Sequence, residues 1–278
     1  MVDGKDAMLA KGFQDAKAVR YPCFVQPKLD GIRMLVSLPG LALTSRNGTD
    51  FGHLKHRFSS QLSAIAAQLA SSGAVALDGE LYVHGVPFQR LASMVRNKAD
   101  PTSGAALEYH VYDVVDKGAA GFKERHAELA AAFARSRVRT HVLLVETRVA
   151  SSAADVAAEL ASAEGRGYEG VMVRSTDGQY ARGKRSSDLL KYKRFETGEF
   201  EIVGFKEASG KDKGTPVFCL RASGSTFFAR PTGTSESRRA MFARAPSMVG
   251  KMMTVQYQGL SRDGIPRFPV ALDVRDYE

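Results

Sequence analysis

The residues best suited to chemistry lie in the octapeptide Gln26–Arg33, which reads Gln-Pro-Lys-Leu-Asp-Gly-Ile-Arg. Lys28 follows a short run of strand-like residues, so it can act as a nucleophile held on a rigid edge. Asp30 comes two residues later, Gly31 stands where the chain bends or approaches another segment closely, and Arg33 adds a cation. A primary amine beside charged groups suits covalent attack on an anion. Because Lys-x-Asp-Gly is also an ordinary turn sequence, this segment alone leaves both interpretations open.

Other chemistry-bearing residues recur along the chain beside predicted strands. In order, these stretches are Ser45–Gly48, Leu77–Leu81, Tyr112–Asp113, Glu169–Arg174, Leu189–Arg194 and Gly264–Val270. Their carboxylates, aromatic ring and cations are groups that can bind a nucleotide and stabilise phosphate charge. Lys191 and Lys193 are two residues apart on a predicted strand and therefore point to the same face. Each stretch alone also fits an exposed strand, a core position or a turn, so the prediction depends on their joint order.

In this order the stretches resemble the covalent nucleotidyltransferases, and specifically the ATP-dependent DNA ligases. The resemblance extends from about Gln26 to Arg275. It implies that Lys28 attacks the α-phosphorus of ATP and holds AMP as a phosphoramidate. AMP would then pass to the 5′-phosphate of a nick in duplex DNA, and the 3′-hydroxyl would displace it to close the strand. ATP is the implied nucleotide, and Mg²⁺, or Mn²⁺ in its place, is the implied metal ion.

The resemblance also implies roles for single residues around the nucleotide. Arg33 and Glu80 would hold the ribose, and Tyr112 would stack on adenine. Lys191 and Lys193 would face the phosphates. The complete set of implied nucleotide-binding residues is Gln26, Pro27, Arg33, Glu80, Tyr112, Lys191, Lys193 and Arg275.

Metal and DNA ligands are implied by the same resemblance. Glu169 resembles a metal-binding carboxylate and Asp30 is the second implied ligand, since Mg²⁺ prefers a few hard oxygen donors. Arg46 matches the arginine that meets the 5′-phosphate of the nick, and a basic run ahead of Lys191 would extend the contact with the DNA backbone. The implied DNA-binding residues are Arg46, Arg182, Lys184 and Arg185.

The C-terminal end departs from the family pattern. Gly264–Val270 resembles the arginine-rich closing segment of the ligase OB domain. Arg275 is the residue implied to orient the departing pyrophosphate, with Arg267 as the second choice. The family's closing motif continues past its arginine to an acid and a lysine, whereas Val274–Glu278 has no such lysine.

Composition limits the class of protein. The chain has 278 residues, 44% hydrophobic and 25% charged, so it can bury a core and is neither fibrous nor wholly disordered. Its net charge of +9 favours a polyanionic partner. Cys23 and Cys219 form no CxxC pair, which argues against a tetracysteine zinc site. An acidic start and the lack of a long apolar run predict a cytoplasmic protein without a signal peptide or a membrane span.

Hydrophobic periodicity predicts an α+β fold. Helices are expected over Arg57–Ser71, Phe88–Arg96, Lys123–Arg135, Ala153–Gly165 and Glu236–Ala243, with Ser151 or Ser152 as an N-cap. Strands are expected over Phe24–Gln26, Arg33–Ser37, Leu41–Thr44, Val75–Leu77, Glu80–Val83, Tyr109–Val114, Gly170–Val173, Phe200–Phe205, Val217–Ala222, Ser225–Ala229 and Lys251–Tyr257.

The character of the sequence changes after Phe195, where short strands and one helix suit a small five-stranded barrel of the OB type. We therefore expect a nucleotidyltransferase (adenylation) domain over 1–197, with mixed or antiparallel sheets and flanking helices, and an OB-fold domain over 198–278. This is the minimal two-domain form of the ligase family. It is expected to act as a monomer on nicked duplex DNA, away from membranes.

Two other classes of function stay open at this point. Within the same superfamily, an RNA ligase or an mRNA capping guanylyltransferase would share the nucleophilic lysine. From a different class, a catalytically silent nucleic-acid-binding protein would use the basic surface and the OB barrel alone. Only the enzymes would carry a nucleotide covalently on Lys28.

Overall fold

The computed structural model of the chain describes residues 2–13, 19–38, 40–98, 104–116, 118–137, 140–261 and 263–275. It separates into two compact units, Met1–Lys193 and Arg194–Glu278. The division into 1–197 and 198–278 stays a prediction, and its boundary falls four residues beyond the one between the compact units. Asp276–Glu278, the end of the closing segment, lie outside the described residues.

The first unit combines short strands with longer helices. Its strands are β1 Leu9–Gly12, β2 Cys23–Lys28, β3 Ile32–Ser37, β4 Leu43–Ser45, β5 Ala74–Tyr82, β6 Glu108–Asp116, β7 Val142–Leu144, β8 Arg148–Ala150, β9 Gly170–Ser175 and β10 Arg185–Tyr192. Its helices are α1 Lys55–Gln68, α2 Phe88–Arg96, α3 Phe122–Ser136 and α4 Ala153–Gly165. The helices predicted in this unit are confirmed to within a few residues.

These strands form two five-stranded sheets. One has the order β1-β10-β9-β2-β8 and the other the order β4-β3-β5-β6-β7. Pairing is mostly antiparallel, but β1 runs parallel to β10 and β6 runs parallel to β7. The predicted α+β class with mixed sheets is therefore confirmed.

Amphipathic helices cover the sheets because their apolar residues recur on one face. In α1, Phe58, Leu62 and Ile65 are fully buried at spacings of four and three. In α4 the side chain of Ser152 accepts a hydrogen bond from the backbone N–H of Asp155, which confirms the second of the two predicted caps.

The second unit is a small closed barrel. Its strands are β11 Glu196–Glu207, β12 Pro216–Ala222, β13 Ser225–Pro231, β14 Met252–Tyr257 and β15 Val270–Arg275, and its helix is α5 Ser235–Arg244. The barrel closes in the order β11-β12-β13-β15-β14. The predicted five-stranded barrel is therefore confirmed, with β15 supplying the strand that periodicity did not mark.

No helix within the described ranges combines the length and the apolar character needed to cross a lipid bilayer.

Candidate active site

A cavity of about 610 Å³ opens in the first unit and is lined by residues from both sheets. Its size suits a small-molecule ligand. Of the predicted site residues, those that line it are Gln26, Pro27, Lys28, Arg33, Arg46, Glu80, Tyr112, Arg185 and Lys191. Stretches that are far apart in the sequence therefore meet around one space.

Lys28 and Glu169 are brought together by the pairing of β2 with β9. Lys28 ends β2 and lies opposite Gly170, the first residue of β9, so Glu169 falls beside it. Lys28 Nζ donates a hydrogen bond to Glu169 Oε2. Lys193, just after β10, donates from Nζ to the other oxygen, Oε1, at 2.6 Å. One carboxylate therefore bridges Lys28, the predicted nucleophile, and Lys193, one of the two predicted phosphate-facing lysines.

Gly170 is required for this arrangement. Its φ of +150° is one that side chains rarely adopt, and a β-carbon there would lie 2.4 Å from the carbonyl oxygen of Tyr192. The close approach of β9 to the end of β10 puts Lys193 within reach of Glu169.

The charges of Lys28 and Lys193 shift the pKa values of Glu169 and Lys191. Burial alone would raise the pKa of Glu169, but Lys28 and Lys193 outweigh it and hold that pKa below its ordinary value. Burial lowers the pKa of Lys191, and the positive charges of Lys193 and Lys28 lower it further. Glu169 is therefore ionised and Lys191 lies in a field that disfavours its own charge.

Arg33 is held by a buried carboxylate. Its Nε donates to Asp78 Oδ1 at 2.8 Å and its Nη2 to Asp78 Oδ2 at 2.5 Å. Arg33 Nη1 donates to the carbonyl oxygen of Met8 at 2.6 Å, and the Tyr180 hydroxyl donates to Asp78 Oδ2 at 2.6 Å. The guanidinium is thus fixed at the wall of the cavity, and its predicted role toward the ribose stays a prediction.

Glu80 lies at the same wall and favours the protonated form. It is opposite Arg33 in the β3–β5 register. Burial raises the pKa of its carboxyl to about 8, although the charges of Arg33 and Lys28 lower it. Gly31 allows this closeness, since a β-carbon there would lie 2.6 Å from Glu80 Cγ.

Tyr112 reaches the cavity because of a β-bulge in β6. Val111 pairs with Gly79 and Asp113 pairs with Asp78, which leaves Tyr112 as the extra residue between them. A bulge re-aims a side chain, and bulges are frequent beside active sites. The predicted stacking on adenine is untested, but the ring lines the cavity as that prediction requires.

The predicted DNA-binding residues lie in more than one place. Arg46 and Arg185 line the main cavity, and Arg185 Nη1 donates to the carbonyl oxygen of Ala10 at 2.6 Å. Arg182 and Lys184 line a different cavity, where Arg182 Nη2 donates to the carbonyl oxygen of Asp116 at 2.6 Å. Lys184 and Arg185 are exposed and accessible to a polyanion.

Arg275 belongs to the barrel unit, at the end of β15. Its Nε donates to Glu199 Oε1 at 3.2 Å and to Thr254 Oγ1 at 3.1 Å, and its side chain is 53% exposed. Arg267, the second choice, has its guanidinium 5.7 Å from the ring centre of Phe268. Their predicted role toward pyrophosphate stays a prediction.

The predicted metal ligands, Glu169 and Asp30, are carboxylates, which supply the hard oxygen donors that Mg²⁺ prefers. Across the described part of the chain, no three His, Cys, Asp or Glu side chains converge as a metal site would require. Glu169 is nevertheless ionised and close to Lys28, and the charge of Asp30 acts on Glu80. A site with one or two carboxylates suits Mg²⁺, which keeps several waters and takes its other oxygens from substrate phosphates. The donor chemistry therefore fits a metal that arrives with a nucleotide.

Several residues that line the cavity, or that hydrogen-bond to its lining residues and to their partners, were not predicted as site residues. They are Met8, Asp78, Asp113, Arg125, Arg174 and Tyr180. Asp78, Asp113 and Arg174 lay inside the quoted motifs, so the motifs themselves were a usable signal. No sequence signal marked Tyr180 or Arg125, whose partners are known only from the fold.

Comparison with known proteins points to one family. Residues 7–193 match the family model described as the ATP dependent DNA ligase domain, and residues 211–275 match the DNA ligase OB-like domain. A probable DNA ligase of Streptomyces griseus is 33% identical over 211 residues, covering 69% of this chain and 40% of the relative. A DNA ligase of African swine fever virus is 28% identical over 270 residues, covering 91% of this chain and 63% of the relative. The chain thus spans less than two thirds of each of these two relatives.

A solved structure is similar over the whole length. It comes from work on Lig E DNA ligases and DNA binding with a minimal scaffold, and it is 26% identical to this chain with a TM-score of 0.75. The similarity covers 99% of this chain and all of that one.

Proposed function

The chain belongs to the ATP-dependent DNA ligase family, and from that premise we propose that it seals nicks in duplex DNA through an AMP group carried on Lys28. The observation that carries the proposal is the position of Lys28, whose side chain lines the 610 Å³ cavity and hydrogen-bonds Glu169. Predicted nucleotide-binding residues from β3, β5, β6 and β10 line the same cavity. In this proposal the chain works as a monomer.

In the first step Lys28 acts as the nucleophile. Its neutral amine attacks the α-phosphorus of ATP, so that an N–P bond forms and the bond to the oxygen bridging to the β-phosphate breaks. Pyrophosphate leaves, and the proton lost from nitrogen passes to it or to solvent. Lys28 donates a hydrogen bond to ionised Glu169 in the free protein. The ion pair between Lys28 and Glu169 therefore has to break when the nucleotide enters, before the amine can attack.

The surrounding cations stabilise the charge that moves during this step. Lys191, Lys193 and Arg33 place positive charge at or beside the cavity. Arg33, whose proposed role is toward the ribose, is pre-oriented by its two hydrogen bonds to Asp78, so it does not reorganise when the nucleotide arrives. Preorganised charge of this kind is the main source of catalysis in phosphoryl transfer.

The later steps use the same cavity. An oxygen of the nick 5′-phosphate attacks the phosphorus of the lysyl-AMP, the N–P bond breaks, and Lys28 regains a proton. The 3′-hydroxyl then attacks the 5′-phosphate, forms the new phosphodiester and expels AMP. Arg46 and Arg185, which line the cavity, are the residues proposed to hold the DNA phosphates.

A divalent metal ion, Mg²⁺ in this proposal, would be held by Glu169 and Asp30 together with oxygens of the nucleotide. When bound, it would neutralise phosphate charge. Arg275 is proposed to act on the departing pyrophosphate, and its 53% exposure leaves its side chain accessible to such a ligand. The domains are proposed to divide at 197/198.

A nick-sealing assay tests this proposal. A 5′-phosphorylated nicked DNA duplex is incubated with ATP and Mg²⁺, and joined product is measured on a denaturing gel. We expect joining by the wild type, none by Lys28→Ala, and wild-type joining by Lys123→Ala, which removes an exposed lysine from α3. Joining by Lys28→Ala would contradict the proposal.

Three further measurements separate the other classes. Sealing of nicked RNA in preference to nicked DNA would indicate an RNA ligase. Covalent labelling by GTP in place of ATP would indicate a guanylyltransferase. Salt-sensitive DNA binding with no covalent label on the protein would indicate a silent binding protein.

A further inference from the structure

We infer that Arg174 is a positioning residue for recognition of the nucleobase, because it fixes the side-chain amide of Gln26 and supports Tyr112. The inference rests on the proposed function, in which both of these residues face the bound nucleotide. Arg174 is the fifth of the six residues of β9, and only 4% of it is exposed. Nothing in the attack by Lys28 itself requires an arginine at this place.

Arg174 joins the two sheets through short hydrogen bonds. Its Nε donates to Gln26 Oε1 at 2.7 Å and its Nη1 donates to Asp113 Oδ2 at 2.7 Å. Asp113, in the other sheet, is fully buried and also accepts from Arg125 Nε at 2.9 Å. The guanidinium of Arg174 is therefore held in one orientation by a buried carboxylate.

The partners of Gln26 determine which way its amide faces. Its Nε2 donates to the carbonyl oxygen of Tyr112 at 3.1 Å and to Thr147 Oγ1 at 2.9 Å. The Thr147 hydroxyl gives its own proton to the carbonyl oxygen of Val145 at 3.1 Å, so toward Gln26 it acts as an acceptor. Arg174 can only donate. All of these partners require the amide oxygen to face Arg174 and the amide nitrogen to face Tyr112 and Thr147.

In this orientation the side chain of Gln26 can accept one more hydrogen bond but has no free N–H group to donate. Both amide N–H groups are engaged, whereas Oε1 accepts from Arg174 and retains a second lone pair. Toward a base in the cavity that Gln26 lines, the side chain can accept but cannot donate. The 6-amino group of adenine is a donor, and the O6 atom of guanine is an acceptor. A fixed acceptor at Gln26 therefore favours ATP over GTP.

Arg174 acts on Tyr112 by two routes. Its guanidinium carbon lies 5.5 Å from the ring centre of Tyr112, and that of Arg33 lies at 5.7 Å. Through Gln26, Arg174 also holds the backbone carbonyl of this bulged residue. Loss of Arg174 would release the amide and the ring together.

A purely structural ion pair would behave differently. If Arg174 only joined the two sheets, removing it would lower stability and slow labelling by ATP and GTP by the same factor. If it positions Gln26, its removal changes the ratio of the labelling rate with ATP to that with GTP. Arg125 provides the matched control, because it also pairs with buried Asp113 but makes its other hydrogen bonds to the carbonyl oxygens of Ala120 and Gly178.

The test measures kcat/KM for covalent labelling of the protein by ATP and by GTP. We expect the ATP-to-GTP ratio to fall at least about tenfold in Arg174→Met and in Gln26→Met, because an unsatisfied or misdirected polar group discriminates poorly. Arg174→Lys retains a cationic donor group but lacks the planar guanidinium, so its ATP-to-GTP ratio should lie between those of Arg174→Met and the wild type. Arg125→Lys should retain the wild-type ratio even if its melting temperature falls.

An unchanged ratio in folded Arg174→Met would overturn the inference. If thermal melting shows that Arg174→Met does not fold, Arg174→Lys and Gln26→Met decide, and an unchanged ratio in both overturns it. A wild type that takes no label from either nucleotide would contradict the proposed function instead. The two failures are therefore distinguishable.

Discussion

Glu169 Oε2 accepts a hydrogen bond from Lys28 Nζ, although the two residues are 141 positions apart in the chain. Lys193 Nζ donates to the second oxygen of the same carboxylate at 2.6 Å. The proposed nucleophile is thus held, before any nucleotide arrives, in a cluster of two ammonium groups around one carboxylate. Glu169 fixes where Lys28 Nζ lies and keeps the two lysines close to each other.

Substitution of Glu169 tests this cluster. In Glu169→Gln the carboxylate charge is lost and the amide nitrogen of the new side chain faces one of the two ammonium groups. We expect lysyl-AMP formation to slow roughly 10- to 100-fold, since the variant loses the carboxylate that positions Lys28 Nζ and that is proposed to hold Mg²⁺. The initial rate of labelling by α-labelled ATP measures this effect.

The control for this substitution is Glu146→Gln. Glu146 also bridges two cations, Arg148 at 2.6 Å and Arg166 at 2.7 Å, but it is 42% exposed and does not line the cavity. Its variant should label at the wild-type rate. Equal rates in the two variants would show that Glu169 has no special part in the reaction.

The pair of Arg33 and Asp78 should contribute to stability as well as to the site. Asp78 is fully buried and holds Arg33 in a bidentate pair. Asp78→Asn leaves the buried guanidinium without its counter-charge, which should lower the free energy of unfolding by about 3–5 kcal/mol. Denaturant titration measures this loss.

An exposed pair offers the comparison. Glu201 lies 3.4 Å from Arg221, with both side chains largely exposed, so Glu201→Gln should change stability by less than about 1 kcal/mol. Losses of similar size in Asp78→Asn and Glu201→Gln would contradict the assigned role of Asp78.

Local features of the fold could be predicted from the sequence, because they depend on neighbouring residues. Helices α2 and α4 have the predicted bounds, since regular apolar spacing and the Ser152 cap are local signals. Strand β1 was missed because it is four residues long and forms only by pairing in parallel with β10, far away in sequence. Predicted strands Val75–Leu77 and Glu80–Val83 are one strand, β5, since its central Asp78 is polar but buried.

The candidate site was predictable in part for the same reason. Nucleophile, carboxylates and cations could be recognised in motifs, and nine of the predicted residues line one cavity. Their partners could not be recognised. Tyr180 is 102 positions from Asp78, and nothing around it marks it as the donor to that buried carboxylate. The bulge that turns Tyr112 toward the cavity likewise depends on the β5–β6 register.

Glu80 makes the stability of the protein depend on pH. Burial raises the pKa of its carboxyl from the ordinary 4.5 to about 8. Between those values the folded chain binds a proton that the unfolded chain has lost, so the stability contributed by Glu80 is full below about pH 4.5 and is lost as pH rises through about 8. The free energy of unfolding of wild type minus that of Glu80→Gln should therefore fall across this range. A difference that is constant with pH, or that rises, would disprove this assignment.

Lys184 should contribute to DNA affinity through charge alone. It is exposed and lies in the basic run 182–185. If it neutralises one phosphate, Lys184→Ala should reduce the slope of log affinity against log salt by about 0.9. Fluorescence anisotropy on a nicked duplex measures this slope, with Lys123→Ala as the control. A slope unchanged from wild type would remove Lys184 from the proposed DNA contact.

The central claim is that Lys28 becomes covalently bonded to AMP, and the intact mass of the protein after incubation with ATP and Mg²⁺ tests it most directly. We predict a gain equal to one AMP group, mapped to Lys28 by peptide analysis and absent from Lys28→Ala. The added mass should disappear when pyrophosphate or nicked DNA is supplied. A wild-type protein without added mass, or the same gain in Lys28→Ala, would contradict the account.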